Sequence, residues 1–258
     1  STRRCSSNSR RVRCSSRDEL MATPKYTITC LQKTNVARAI YDLAFEKPAG
    51  FLFHPGQFVL FSIPLVEHPE DIQTRALSIA STPDEPHLRF AMKMQPGGRI
   101  SRWIEEILRP GVAVEMQGPF GFFLLDRNTP KEYLFIATST GVAPFRSQIK
   151  SALAANERRR MDLVLGVYCE EDLFWQKELT ALAQCHENFF LHCALSDPSD
   201  VWKGHRGWVQ SLVPQIVRDF SQKSVYICGN PAMTKDVKQL CLMQWSIPKT
   251  DVHVEGYI

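Results

Sequence analysis

Two domains of different class are predicted: an antiparallel β-barrel up to about residue 127, and a doubly wound parallel α/β sheet from about residue 128. Three observations predict them. The 258-residue chain is long enough for two cores of ordinary size. Its first half alternates apolar and polar residues in short runs, as strands with one wet face do. Its second half has nearly continuous apolar runs separated by helical stretches, as strands buried on both faces do.

Residues 1–20 stand apart, with six arginines, many serines and little that is apolar. Such a composition builds no core. The segment reads as a transit-like leader or as sequence upstream of a start at Met21. YTITC (26–30), ARAIYDLAF (37–45) and QFVLFSI (57–63) follow as strands, separated by the turn signals Pro48 to Gly50, His54-Pro55-Gly56 and Pro83-Asp84. In HLRFAMKM (87–94), Leu88, Phe90, Met92 and Met94 share one face, and Arg89 and Lys93 the other. With one helix at about 99–108, strands at this spacing predict a barrel. Beyond Lys131, strands are predicted at 133–138, 163–169, 189–195 and 225–228, and helices at about 144–156, 174–185, 208–219 and 232–245. In such sheets ligands bind beyond the carboxyl ends of the strands, so the residues after each strand are the candidates for a site.

Composition narrows the function classes. The net charge is +4, but the leader holds that whole excess, so the body has no general basic bias toward nucleic acid or membrane. No apolar run is long enough for a membrane helix. The eight cysteines include no C-x-x-C pair and no iron–sulfur spacing, so no metal site is expected. Most lie in apolar runs and read as small hydrophobes in a reducing compartment. That compartment is the cytoplasm, or an organelle if the leader is a transit peptide. Arg158-Arg159-Arg160, in a helix–strand loop, reads as solubilising.

Three turns have the composition of phosphate cradles. STGVAP (139–144) follows a strand and opens a helix, QPGGRIS (95–101) does so from a loop, and CGNPAM (228–233) follows the last long apolar run. Each alone also reads as a plain connection, with Ser101 as a helix N-cap in the second. In RALS (75–78), Arg75 precedes an apolar run and is expected to be buried and to meet an anion.

Taken in order, RALS, GGRIS, GPFG (118–121), STGVAP, CGNPAM and VEGYI (254–258) resemble the ferredoxin–NADP⁺ reductase-like flavoprotein family over essentially all of 24–258. The resemblance implies an FAD-binding barrel over 21–127 and an NAD(P)-binding α/β domain over 128–258. It implies that Arg75 meets the flavin diphosphate, with Ala76 and Leu77 beside it, and that the Ser78 hydroxyl meets flavin N5. Met92 and Lys93 flank the flavin, and Gly98, Arg99, Ile100 and Ser101 form its pyrophosphate loop. Thr138, Thr140 and Gly141 hold the pyrophosphate of the nicotinamide cofactor. Cys228, with Gly229, Pro231 and Met233, lies near the nicotinamide. Glu255 balances charge and protons at the flavin, and Tyr257 is the terminal aromatic stacked over the ring.

Two positions depart from the family's pattern. Leu77 stands where the family has tyrosine, and Ser139 where it has glycine. Ser196-Asp197 stands where NADP-preferring relatives have Ser-Arg, so NADH is favoured over NADPH; Lys203 and Arg206 are the cations that oppose that reading. The expected activity is FAD-dependent oxidation of NAD(P)H, with electrons passed to a separate ferredoxin- or flavodoxin-like protein or oxygenase component. Arg99, Arg102 and Arg109 are candidates for a basic docking patch. The alternatives are an electron-transfer subunit of a larger complex and a non-catalytic flavin or nucleotide sensor.

Overall fold

The computed structural model describes residues 23–256. The leader and Tyr257 lie outside the described residues. Two six-stranded sheets account for most of the rest. The first comprises β1 (Lys25–Ala37), β2 (Ile40–Glu46), β3 (Phe58–Pro64), β4 (Ile72–Ser78), β5 (His87–Lys93) and β6 (Ala113–Phe120), with α1 (Arg99–Glu106) before the last. Its order is β4-β3-β6-β1-β2-β5, with every pairing antiparallel. Just past β4, the Ala80 N–H donates to the Arg89 carbonyl at 2.8 Å and draws the two edges together.

The second sheet comprises β7 (Glu132–Thr138), β8 (Met161–Val167), β9 (Phe189–Leu195), β10 (His205–Arg206), β11 (Lys223–Gly229) and β12 (Val252–Gly256). The order is β10-β9-β8-β7-β11-β12, all parallel. The helices are α2 (Val142–Ala154), α3 (Gln176–Cys185), α4 (Val209–Ile216) and α5 (Pro231–Met243). Every residue of β8 and β11 is buried, and apart from Asp162 and Lys223-Ser224 near their starts those segments read as apolar runs.

The barrel core is aromatic. Phe61 meets Phe45 edge-on at 5.2 Å and Phe90 at 5.1 Å. Alternation fails as a guide at two strands. β4 is largely exposed up to Ala76, so it shows no apolar face to read. β6 ends in Gly118-Pro119-Phe120, which reads as a turn. The run 37–45 contains a hairpin turn at Arg38-Ala39, with Ala39 at φ 56°.

Two local expectations are corrected. Ser101 does not cap α1; its hydroxyl accepts the Gln95 N–H at 2.9 Å and closes the preceding loop. Arg159 and Arg160 are structural. The first lies 4.4 Å from the Tyr133 ring and pairs with Glu157; the second lies 3.9 Å from the Phe190 ring and pairs with buried Asp162. In the expected docking patch, Arg99 is paired with Asp71, and Arg102 with Glu67 and Glu106.

Candidate active site

The two sheets meet at strand ends. Ser78, the last residue of β4, donates its hydroxyl to Glu255 Oε1 of β12 at 3.3 Å. Glu255 lies opposite Cys228 in the parallel β11–β12 register. Three candidates predicted from distant parts of the sequence therefore share one seam. Ser78 and Cys228 are buried, and Glu255 is half-buried. Burial pushes the Glu255 carboxyl up to about 7, against the opposing pull of the Ser78 hydrogen bond. Gly121 borders the same carboxylate. A Cβ there would lie 3.8 Å from Glu255 Oε2 and 3.0 Å from the Phe58 ring, and its φ of +95° suits glycine.

Beside the seam, the ends of β7 and β11 approach closely. A Cβ on Gly141 would lie 2.3 Å from the Cys228 carbonyl oxygen, and one on Gly229 would lie 2.3 Å from Thr138 Oγ1. The Asn230 N–H donates to that same Thr138 oxygen at 2.9 Å. The Asn230 side chain then caps α5, accepting from Ala232 N–H at 2.8 Å, with Pro231 in the helix's first turn. Ser139, where glycine is usual in the family, sits at φ 50°, a conformation glycine adopts freely and serine does not. Thr138, Ser139 and Thr140 are partly exposed and lead into α2 through Gly141.

On the barrel side, the expectation of a buried Arg75 is overturned. Arg75 is exposed, and among the described residues its side chain has no hydrogen bond or ion pair. The apolar face begins only at Leu77, which belongs to the barrel core along with Met92 and Ile100. Ala76 and Lys93 are exposed. Gly98 stands before α1, where a Cβ would lie 2.9 Å from Ser101 Oγ and 3.0 Å from the Gln95 carbonyl oxygen. The loop is thus a tight backbone turn, and Arg75 on β4 is an exposed guanidinium whose side chain is unpaired among the described residues. This donor set fits a diphosphate.

At the far end of the second sheet, the Asp197 N–H donates to the Tyr168 carbonyl at 2.8 Å. The Asp197 carboxylate pushes the Tyr168 phenol's pKa up. The Ser196 N–H donates to the Val167 carbonyl at 3.1 Å. Arg206 directs its guanidinium to the carbonyls of Ser199, at 2.6 Å, and Trp202.

Two families match the chain: the Oxidoreductase FAD-binding domain over residues 27–124, and the Oxidoreductase NAD-binding domain over residues 135–239. The chain is 36% identical over 227 residues to ferredoxin–NADP reductase B of Sorangium cellulosum, covering 84% of this chain and 91% of the relative. It is 27% identical to the glycine betaine monooxygenase reductase subunit of Pseudomonas aeruginosa, covering 85% of this chain and 61% of that one. Among solved structures, the Amycolatopsis cytochrome P450 reductase GcoB superposes with a TM-score of 0.80 at 26% identity, covering 91% of this chain and 70% of that one.

This chain belongs to the ferredoxin reductase-like FAD- and NAD(P)-binding oxidoreductases. It is an NAD(P)H-dependent flavin oxidoreductase with the two-sheet fold of that family.

Sequence reasoning missed a second seam in this reductase-like chain, on the side of α2. Arg146 is 1% exposed and bridges the sheets. It donates to the Ala80 carbonyl at 2.6 Å, to both Glu85 oxygens at 3.0 Å, and to Glu178 at 2.6 and 3.2 Å. Lys150 pairs with the same two glutamates. Arg89 links Glu178 to Asp42, and the Trp175 indole N–H donates to Asp42 at 2.8 Å. The signal in the sequence was an arginine inside the apolar run VAPFRSQI (142–149).

Proposed function

We propose that this reductase-like chain oxidises NADH, with FAD as hydride acceptor, and hands the electrons to a separate acceptor protein: a ferredoxin, a flavodoxin or an oxygenase component. The observation that carries the reading is the Ser78–Glu255 contact beside Cys228. It places a hydroxyl and a weakly acidic carboxyl from two sheets at one point, with a buried thiol in register. FAD, when bound, supplies a hydride-accepting centre that can release electrons one at a time. Arg75 and the Gly98–Ser101 loop would hold its diphosphate, and Thr138–Gly141 the pyrophosphate of the nicotinamide cofactor. Glu255 holds a proton at its carboxyl near neutral pH, and Ser78 orients that group through its hydrogen bond. Burial of Ser78 and Cys228 keeps water from the place where hydride moves.

Charge at the far rim supports NADH. Asp197 is exposed, and Glu170, Glu171 and Asp172 follow β8. A 2′-phosphate would meet these carboxylates, whereas a free ribose hydroxyl would find an acceptor. Two nearby cations are engaged elsewhere: Arg206 holds loop carbonyls, and Arg38 pairs with Asp172 at 2.7 Å; exposed Lys203 is the cation that opposes the reading. The oxygenase reductase components among the relatives support a protein acceptor.

An anaerobic titration tests the reading. FAD-loaded protein should lose its oxidised flavin band on addition of NADH, and only at much higher concentrations of NADPH. A preference for NADPH would overturn the role given to Asp197. Bound flavin that neither nucleotide reduces would overturn the hydride-transfer reading and favour an electron-transfer subunit.

A further inference from the structure

Three consecutive residues of α2 grip the segments just beyond β4 and β6. Arg146 donates to the Ala80 carbonyl at 2.6 Å, Ser147 Oγ to the Ser81 carbonyl at 2.7 Å, and Gln148 Nε2 to the Phe123 carbonyl at 2.6 Å. All three side chains are buried. Ala80 lies two residues beyond Ser78, and α2 begins at Val142, directly after the Thr138–Gly141 turn. The grip thus joins the segment carrying the Ser78 hydroxyl to the helix whose N-terminus opens the nucleotide turn. Arg146 is also fixed in direction. Glu85 from the first sheet and Glu178 from α3 take its remaining donors, and the Trp175 ring lies 5.5 Å from the guanidinium. A planar fork with five donors can serve a carbonyl and both oxygens of two carboxylates at once; an ammonium, with three donors, cannot.

We propose that Arg146 is a positioning residue for hydride transfer: through Ala80 and α2 it sets the separation between the Ser78 end of the barrel and the nucleotide turn at Gly141. The inference rests on the function proposed above. Hydride transfer requires near-contact of two rings, and a displacement of about 1 Å lowers such a rate by about 10²-fold. Domain stability alone needs some cross-sheet contact. It does not need a buried arginine one of whose two shortest bonds, to the Ala80 carbonyl, falls two residues past the serine of the reactive seam.

The test compares wild type, Arg146→Lys and Ser147→Ala, each loaded with FAD and mixed anaerobically with saturating NADH. Three quantities are read: the rate of flavin bleaching, the long-wavelength charge-transfer band between nicotinamide and flavin, and amide hydrogen exchange at residues 79–82 in FAD-free protein. Arg146→Lys is expected to bind FAD and NADH as wild type does. It should nonetheless bleach about 10- to 100-fold more slowly, lose the charge-transfer band and exchange faster at 79–82. Ser147→Ala should move all three in the same direction by a smaller factor, and it decides the matter if Arg146→Lys does not fold. An unchanged band and bleaching rate in a folded, FAD-loaded variant would overturn the proposal. So would a rate that falls only in proportion to lost FAD. If wild type itself is not bleached by NADH, the proposed function fails first, and the exchange data alone report on the grip.

Discussion

Glu85 and Glu255 both reach from one sheet to the other, and their surroundings push the two carboxyls in opposite directions. Glu85 meets Arg146 and Lys150, which hold it down at about 2 despite the cost of burial. Glu255 has the Ser78 hydroxyl as its neighbour, and burial raises it to about 7. The same residue type is thus a fixed anion in one seam and a proton holder near neutral pH in the other. What separates them is the presence of a cation, since both lose water. A clamp is best served by a charge that never changes, and a redox site by one that does.

The largest change that breaks this comparison is Arg146→Gln. It leaves Glu85 and Glu178 sharing Lys150, with Arg89 still paired to Glu178. Stability should fall by roughly 3–5 kcal/mol, as when one member of a buried ion pair is removed. Urea denaturation at neutral pH checks this.

Glu255→Gln acts on the other seam and should raise stability at alkaline pH. An acid whose folded pKa is raised contributes fully below its ordinary value of 4.5, and that contribution is lost as pH rises through about 7. Glutamine carries no such loss, so the variant should gain on the order of 1 kcal/mol above pH 7. Thermal melts across neutral pH measure it.

Glu85→Gln has the opposite sign. A depressed acid stabilises above its ordinary value, and that stabilisation is lost as pH falls from 4.5 toward about 2. The variant should be less stable than wild type at neutral pH, with the gap closing in acid. Acid-unfolding curves of the two proteins test this.

The smallest effect sharpens the comparison. Ser78→Ala removes the one interaction pulling Glu255 downward, so the carboxyl should titrate slightly higher, the effect being small for a hydrogen bond as long as 3.3 Å. Carbon-13 titration of labelled glutamate side chains reads it.

Much of the fold was legible because burial writes itself into sequence. β8 and β11 are buried along their whole lengths and read as apolar runs beyond Asp162 and Ser224, and β5 shows its two faces by alternation. β4 was not legible, because an exposed strand has no apolar face to display. The same feature misplaced Arg75: the apolar run begins two residues after it, so its neighbours in sequence are not its neighbours in space. The contact between Ser78 and Glu255 joins residues 177 apart. No periodicity shows which strand ends meet, so only the family resemblance named both. Arg146 was visible as a charge in an apolar helix, yet its partners come from β4–β5 and α3, which local pattern does not connect.

The most direct test of the account is the pH dependence of flavin reduction. FAD-loaded wild type and Glu255→Gln are each mixed anaerobically with saturating NADH across the neutral range, and bleaching of the bound flavin is followed. The account predicts that wild-type bleaching follows a single ionisation near pH 7, and that Glu255→Gln is slower and flat over the same range. Identical pH profiles for the two proteins, or no bleaching of wild type by NADH, would contradict it.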